Sequence, residues 1–414
     1  MSSSPASHLH LAVALDGTGW HPASWREPVA RPRELLTAGY WADQVAEAER
    51  GLIDFVTIED GLGLQSSLPQ SRPRSTGGTP IGEPDGRTDQ VRGRLDAVIV
   101  AARIAPLSRH IGLVPTVIAT HTEPFHISKA IATLDYVSTG RAGVRVQISA
   151  RPNEADHFGR RAFPPFDLAE LATPAGQERL AEHFDEAADY IEVVRRLWDS
   201  WEDDAEIRDA ATGRFIDRDK LHYIDFEGRT FSVKGPSITP RPPQGQPLVT
   251  SLGHQTIPYR LIARQTDVGY ITPQDAAQAR AIVAEIRAEQ EAAGRAGDTV
   301  HVFADLVVLL DDDRAAAEAR KDRLDALDGG PYTSDARIFA GTAAQLADLL
   351  EEFAAEGLTG FRLRPAVLGH DLPRISRDLV PELQHRDRFR TAYQADTLRG
   401  HLGLARPANR YAAA

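Results

Sequence analysis

The sequence predicts a single α/β domain, a (β/α)8 (TIM) barrel with long inserted loops and a C-terminal arm. Three observations predict it. Short β-type runs alternate with helical runs from end to end, eight of those runs have strand character, and only three long polar excursions break the order. Strands that alternate with helices pair in parallel, and eight parallel strands close into a barrel. The 414-residue chain suits this architecture, since such barrels take about 250 residues and tolerate insertions to beyond 400.

The first strand is expected over 8 to 17, and a helix over 34 to 51 leads to the second strand, 54 to 61. A helix over 95 to 105 precedes the third strand, 111 to 120, and a helix over 123 to 137 precedes the fourth, 141 to 149. The helix over 177 to 201 sets Leu180, Phe184, Ala187, Ile191, Val194 and Trp198 on one stripe in steps of three and four, a face that packs on the sheet. Runs at 247 to 253, 267 to 273, 300 to 310 and 360 to 369 bring the strands to eight. Excursions at 62 to 92, 150 to 176 and 202 to 240 are insertions. The first, rich in Pro, Gly, Ser and Arg, is expected to be mobile, and the third contains a hairpin about a Glu-Gly turn. The barrel is assigned residues 1 to 388, and residues 389 to 414 form an arm lying on the body or on a neighbouring subunit.

The formal charge of −12 provides no basic surface for nucleic acid or anionic lipid. The absence of cysteine excludes disulfides, thiolate metal sites and thiol nucleophiles. No apolar run is long enough to span a bilayer and the amino terminus lacks a basic leader, so a cytoplasmic location is expected. A Schiff-base aldolase needs a lysine at a strand end, but Lys129, Lys220, Lys234 and Lys321 close no strand. His8 and His10 would lie on one face of the first strand and suggest a metal hydrolase; they stand at the strand's start, away from the active end. No metal ligand is assigned. No nucleotide-binding glycine motif follows any strand.

Barrel active sites form at the carboxyl ends of the strands. Those ends hold Asp60, Thr120 with His121, Gln147 with Ser149, and Ser251, Gly253 and His254, while the first strand runs into Asp16 and His21. Each residue alone has an ordinary structural reading, such as helix capping. Together they place polar groups at one mouth.

The segments GTGWHPASWREP (17 to 28), AERGLIDFVTIEDG (48 to 61), RHIGLVPTVIATHTEPFHISKAIATLDYVSTGRAG (109 to 143), EVVRRLWDSWEDDA (192 to 205) and FEGRTFSVKGPSITPRPPQGQPLV (226 to 249), with the tail LRGHLGLARPANRY, carry a resemblance over nearly the whole chain. It resembles the bacterial luciferase-like flavin-dependent monooxygenases, in the branch that includes nitrilotriacetate and dibenzothiophene-sulfone monooxygenases. The resemblance implies an FMN-dependent monooxygenase, the oxygenase half of a two-component system, in which a separate NAD(P)H:flavin reductase supplies reduced FMN and O2 oxidises a small organic substrate. It also implies a homo-oligomer, dimer or tetramer. Asp60, Ala119, Thr120 and Ser149 fall at the flavin-contacting strand ends, Ser251, Gly253, His254 and Gln255 at the phosphate turn, and His21 on a family histidine, as the candidate acid/base group. Departures accompany the matches. Leu180 and Phe184 stand where the family places a His and a Tyr that reach the phosphate, His254 and Gln255 replace two serines, and Arg145 replaces an Asn. The alternative reading is a non-catalytic or deazaflavin-binding relative.

Overall fold

The computed structural model describes residues 8–65, 86–164 and 168–412. β1 (His10–Leu15) leads through two short 3-10 turns to α1 (Ala38–Arg50), β2 (Phe55–Ile58), α2 (Ala97–Ile104), β3 (Gly112–Ile118), α3 (Pro124–Val137) and β4 (Gly143–Gln147). A short helix, α4 (Pro152–Asp156), precedes the long α5 (Pro174–Asp199). Two hairpins follow: β5 (Glu206–Asp209) with β6 (Arg214–Ile216), and β7 (Phe226–Glu227) with β8 (Ser232–Val233). The chain then alternates through β9 (Leu248–Leu252), α6 (Thr256–Gln265), β10 (Val268–Ile271), α7 (Ala276–Ala292), β11 (His301–Leu310), α8 (Arg314–Asp328), β12 (Arg337–Gly341), α9 (Ala343–Ala354) and β13 (Gly360–Pro365). It ends in α10 (Leu368–Arg374), a π turn, α11 (Val380–His385) and α12 (Leu398–His401).

Eight parallel strands close the barrel in the order β1, β2, β3, β4, β9, β10, β11, β13, with β13 returning to β1 in the register His10↔Gly360. All eight coincide with the runs read from sequence. The helices start where short polar side chains cap them: Thr37 accepts from the Tyr40 amide, Asp96 from Ile99, Thr173 from Gly176, and Thr342 with Gln345 makes a reciprocal capping box on α9. Thr37 also explains why α1 begins at residue 38 rather than 34.

Two strand features lie outside the sequence reading. β12 pairs with the second half of β11 (Leu306↔Arg337), on the edge that β10 occupies lower down, because the other edge of Leu306 to Val308 is held by β13. The β5–β6 hairpin is the second. The expected mobile segment within 62 to 92 falls largely at residues 66–85, outside the described residues.

The arm lies on its own barrel. Leu398 and Leu402 join Phe55, Val114, Leu248 and Phe303 in a cluster that plugs the amino-terminal end. The His301 imidazole contacts the Leu402 carbonyl at 2.9 Å, and the Arg399 guanidinium donates to Asp267 at 3.1 Å. Gly112 permits the approach, since a Cβ there would lie 2.5 Å from Leu398 Cδ1. With that end closed, access to the barrel interior is from the carboxyl mouth.

Candidate active site

Inward-pointing positions of this barrel carry charge. Strand side chains alternate between interior and helix layer, so Arg362 and Arg364 on β13, two residues apart, both face inward beside Asp305 of β11. Asp305 is fully buried and accepts from Nε of Arg362 at 2.8 Å and Nε of Arg364 at 2.9 Å, with a further bond from Nη2 of each. Arg362 continues to Glu59 (3.1 Å) and lies 4.2 Å from the Tyr270 ring centroid; Arg364 continues to Asp335 (2.6 Å) and lies 4.5 Å from the Trp20 ring. On the far side Glu59 accepts from Arg145 Nη1 at 2.8 Å. Burial opposes ionisation of Asp305 and Glu59, but the adjoining guanidiniums more than offset it and hold both carboxyls below their ordinary range. This ion network forms the floor of the mouth.

Above the floor sit the strand-end residues. Thr120 accepts from the Ser149 amide at 3.0 Å, joining the ends of β3 and β4, and Ala119 is buried beside it, its amide donating to the Gln147 carbonyl. Asp60 follows β2 and turns its carboxylate to the amides of Gly61 (2.7 Å) and Ala97 (2.9 Å), where it also anchors the start of α2. Ser251 is buried at the end of β9, and Gly253 is packed so tightly that a Cβ would meet Tyr259 at 2.9 Å. His254 is exposed, 3.0 Å from the Thr272 hydroxyl and 3.6 Å from Asp335. Gln255 is the N-cap of α6 but its side chain caps nothing, so the first amides of that helix have no side-chain acceptor. Leu180 and Phe184 are half-buried on α5, and Phe184 packs on the main core.

His21 stands elsewhere. Its ring is completely buried, Nε2 lies 3.0 Å from Asp325 on α8, Nδ1 accepts from the Ala23 amide, and burial pushes its pKa down. With both nitrogens occupied, it anchors the β1 loop to α8. The residue expected as the acid/base candidate thus makes an Asp325 contact and a backbone contact in this structure. His10, proposed with His8 as a metal pair, contacts Asp54 (3.1 Å) and packs edge-on against His301 at the closed end; His8 is exposed. Among the described residues no three His, Asp or Glu side chains are set to hold a metal ion. No helix there is long and apolar enough to cross a membrane.

A cavity of about 200 Å³ opens beside Thr120. His121 forms one wall, its ring stacked face to face on Phe158 with centroids 5.0 Å apart, and Thr122, Arg161, Glu186, Tyr190 and Phe231 are among the other lining residues. The imidazole is 8% exposed, its Nε2 has no hydrogen-bond partner, and burial keeps its pKa low, which leaves it neutral at pH 7. Tyr190, Glu59, Asp305, Arg362 and Arg364 were not singled out from sequence. Charged residues at two-residue spacing in the otherwise apolar run GFRLRP, and a lone Asp in VHVFADLVVLL, are the signals that mark inward polar positions.

Fold and site together define a (β/α)8 barrel with a polar carboxyl mouth and a cavity beside Thr120. Residues 38–360 match the model of the luciferase-like monooxygenases, and the chain belongs to that family. It is 29% identical to nitrilotriacetate monooxygenase component A of Aminobacter aminovorans over 97% of both chains. It is 28% identical to dibenzothiophene-sulfone monooxygenase of Rhodococcus erythropolis over 93% of both. Among solved structures, a riboflavin lyase crystallised with a modified FMN and riboflavin superposes with a TM-score of 0.80 at 22% identity, covering 96% of each chain.

Proposed function

We propose that this chain is a flavin-dependent monooxygenase, the oxygenase component of a two-component system that takes reduced FMN from a separate NAD(P)H:flavin reductase and oxidises a small polar organic molecule. The observation that carries the reading is a set of unused donors at the mouth of a barrel of this family: the buried Arg145 Nε without a partner and the uncapped start of α6. Both suit an elongated ligand with an electron-rich ring edge at one end and a phosphate at the other. Asp60, Ala119, Thr120 and Ser149 would line the ring, and Ser251, Gly253, His254 and Gln255 would surround the phosphate. Close packing at Gly253 keeps the α6 amides near the turn.

Bound reduced FMN supplies two electrons to O2, so that one oxygen atom enters the substrate and the other leaves as water. The protein's part is placement and exclusion of water. The cavity beside Thr120 is the proposed substrate site, with Phe158 holding His121 in position. Neutral His121 presents one ring nitrogen that can give or take a proton. His21 ties the β1 loop to α8. Leu180 and Phe184 contribute no phosphate donors, so α6 and His254 must hold the phosphate, and this favours as runner-up a relative that uses a deazaflavin or only binds ligand.

Anaerobic titration with photoreduced FMN, followed by mixing with oxygenated buffer, tests the reading. Saturable binding and reoxidation kinetics that differ from free flavin are expected. No binding at micromolar flavin would move the assignment to the runner-up.

A further inference from the structure

The three interior arginines are not used alike. Arg362 bonds through Nε, Nη1 and Nη2, and so does Arg364. Arg145, 5% exposed, commits only Nη1, which donates to Glu59 Oε2 (2.8 Å), Thr116 Oγ1 (3.1 Å) and Gln147 Oε1 (3.0 Å). Its Nε is buried without a partner, and among the described residues Nη2 makes no hydrogen bond. The carboxylates nearby are engaged: Glu59 serves Arg145 and Arg362, and Asp305 serves Arg362 and Arg364. Gln147 gives its oxygen to Arg145, which leaves its amide hydrogens as donors on the same strand. A buried guanidinium edge left bare is costly unless a ligand or water supplies the acceptor.

The acceptor that suits this edge is anionic and planar. A guanidinium bonds an anionic edge roughly twice as strongly as a neutral one. Reduced flavin carries negative charge over its N1–C2=O edge when ionised, whereas oxidised flavin is neutral there. We infer that Arg145, assisted by Gln147, makes this chain select reduced over oxidised FMN, an inference that rests on the flavin reading above. The selectivity expected from one charge-assisted contact in place of a neutral one is about tenfold.

Dissociation constants for oxidised FMN, and anaerobically for reduced FMN, should be measured by fluorescence titration for the wild type, Arg145→Gln, Arg145→Lys and Gln147→Glu, with the midpoint potential of bound FMN as a second readout. The wild type should bind the reduced form at least about tenfold tighter. Arg145→Gln should lose that preference with oxidised affinity unchanged, lowering the potential by about 30 mV, the equivalent of tenfold for a two-electron couple. Arg145→Lys should retain part of the preference. Gln147→Glu, which sets a second negative charge against the Arg145 guanidinium and removes the Gln147 amide donors, should lose it while keeping Arg145 in place, so the test survives if Arg145→Gln misfolds. Equal weakening of both flavin forms, or an unchanged ratio in a folded variant, would overturn the assignment. A wild type that binds both forms equally leaves the flavin reading standing and removes Arg145's role; one that binds neither defeats both.

Discussion

Asp305→Asn is the most informative single perturbation of the barrel interior. The Asp305 carboxylate is fully buried and takes four guanidinium N–H bonds, one at Oδ1 and three at Oδ2. An asparagine can present one oxygen to the three, but its amide then faces the Arg362 Nε–H, a donor against a donor. Leaving that donor unpaired costs about 1–3 kcal/mol, and each remaining bond loses its charge assistance at about 1 kcal/mol. Relief of carboxylate desolvation offsets part of the sum. The net agrees with the 3–5 kcal/mol typical of breaking a buried ion pair on one side, and we expect about 4 kcal/mol. Urea unfolding followed by tryptophan fluorescence is the assay, with Trp20 stacked on Arg364 as a local reporter. Asp335→Asn is the control: that carboxylate is 40% exposed, and its loss should cost no more than about 1 kcal/mol. A loss below about 1 kcal/mol for Asp305→Asn would refute the view that this network is a tightly coupled, water-excluded floor.

Other perturbations have equally definite outcomes. Burial, together with the neighbouring His10, lowers the His301 pKa to about 4, so between pH 6.5 and 4 the unfolded chain takes up a proton that the folded chain refuses. Stability from this group is complete above pH 6.5 and should fall by about 3 kcal/mol as pH drops to 4. Comparing urea midpoints of wild type and His301→Gln at pH 7 and 4.5 checks this, and equal slopes with pH would disprove it. Leu398→Ala removes a buried side chain from the lower plug and should cost about 2–5 kcal/mol, with protease cleavage after residue 389 as a local readout. Asp60→Ala strips acceptors from the Ala97 and Gly61 amides and should cost about 1–2 kcal/mol in thermal or urea unfolding. Gln255→Asp sets a carboxylate at the uncapped start of α6, where it would compete with a phosphate; FMN affinity should fall about tenfold or more while riboflavin affinity, measured in parallel, stays constant.

The barrel is legible because buried parallel strands are short, mostly apolar runs bounded by turn residues, and the eight keep that form apart from inward charges such as Arg145, Asp305, Arg362 and Arg364. β12 gives no separate signal because Arg337 to Gly341 is only partly buried and extends the edge of β11. The mouth residues were found by position, since strand carboxyl ends can be located without knowing any contact. Their roles were less accessible. His21 reads as an acid/base candidate, and its contact with Asp325, 304 residues away in sequence, leaves no trace in the sequence. Arg145 reads only as a departure from the family pattern until Glu59 and Thr116 place it in the interior. Pairings across such separations leave no local pattern, whereas caps such as Thr37 and Asp96 lie within three residues of their partners and do.

The central claim is that FMN occupies the carboxyl mouth of this barrel, and a crystal structure of the protein soaked with FMN tests it most directly. The account predicts the ring over Arg145 beside Thr120 and Ser149, with the phosphate at the start of α6 beside His254. Flavin density elsewhere, or a mouth that stays free of flavin at saturating concentration, would contradict it.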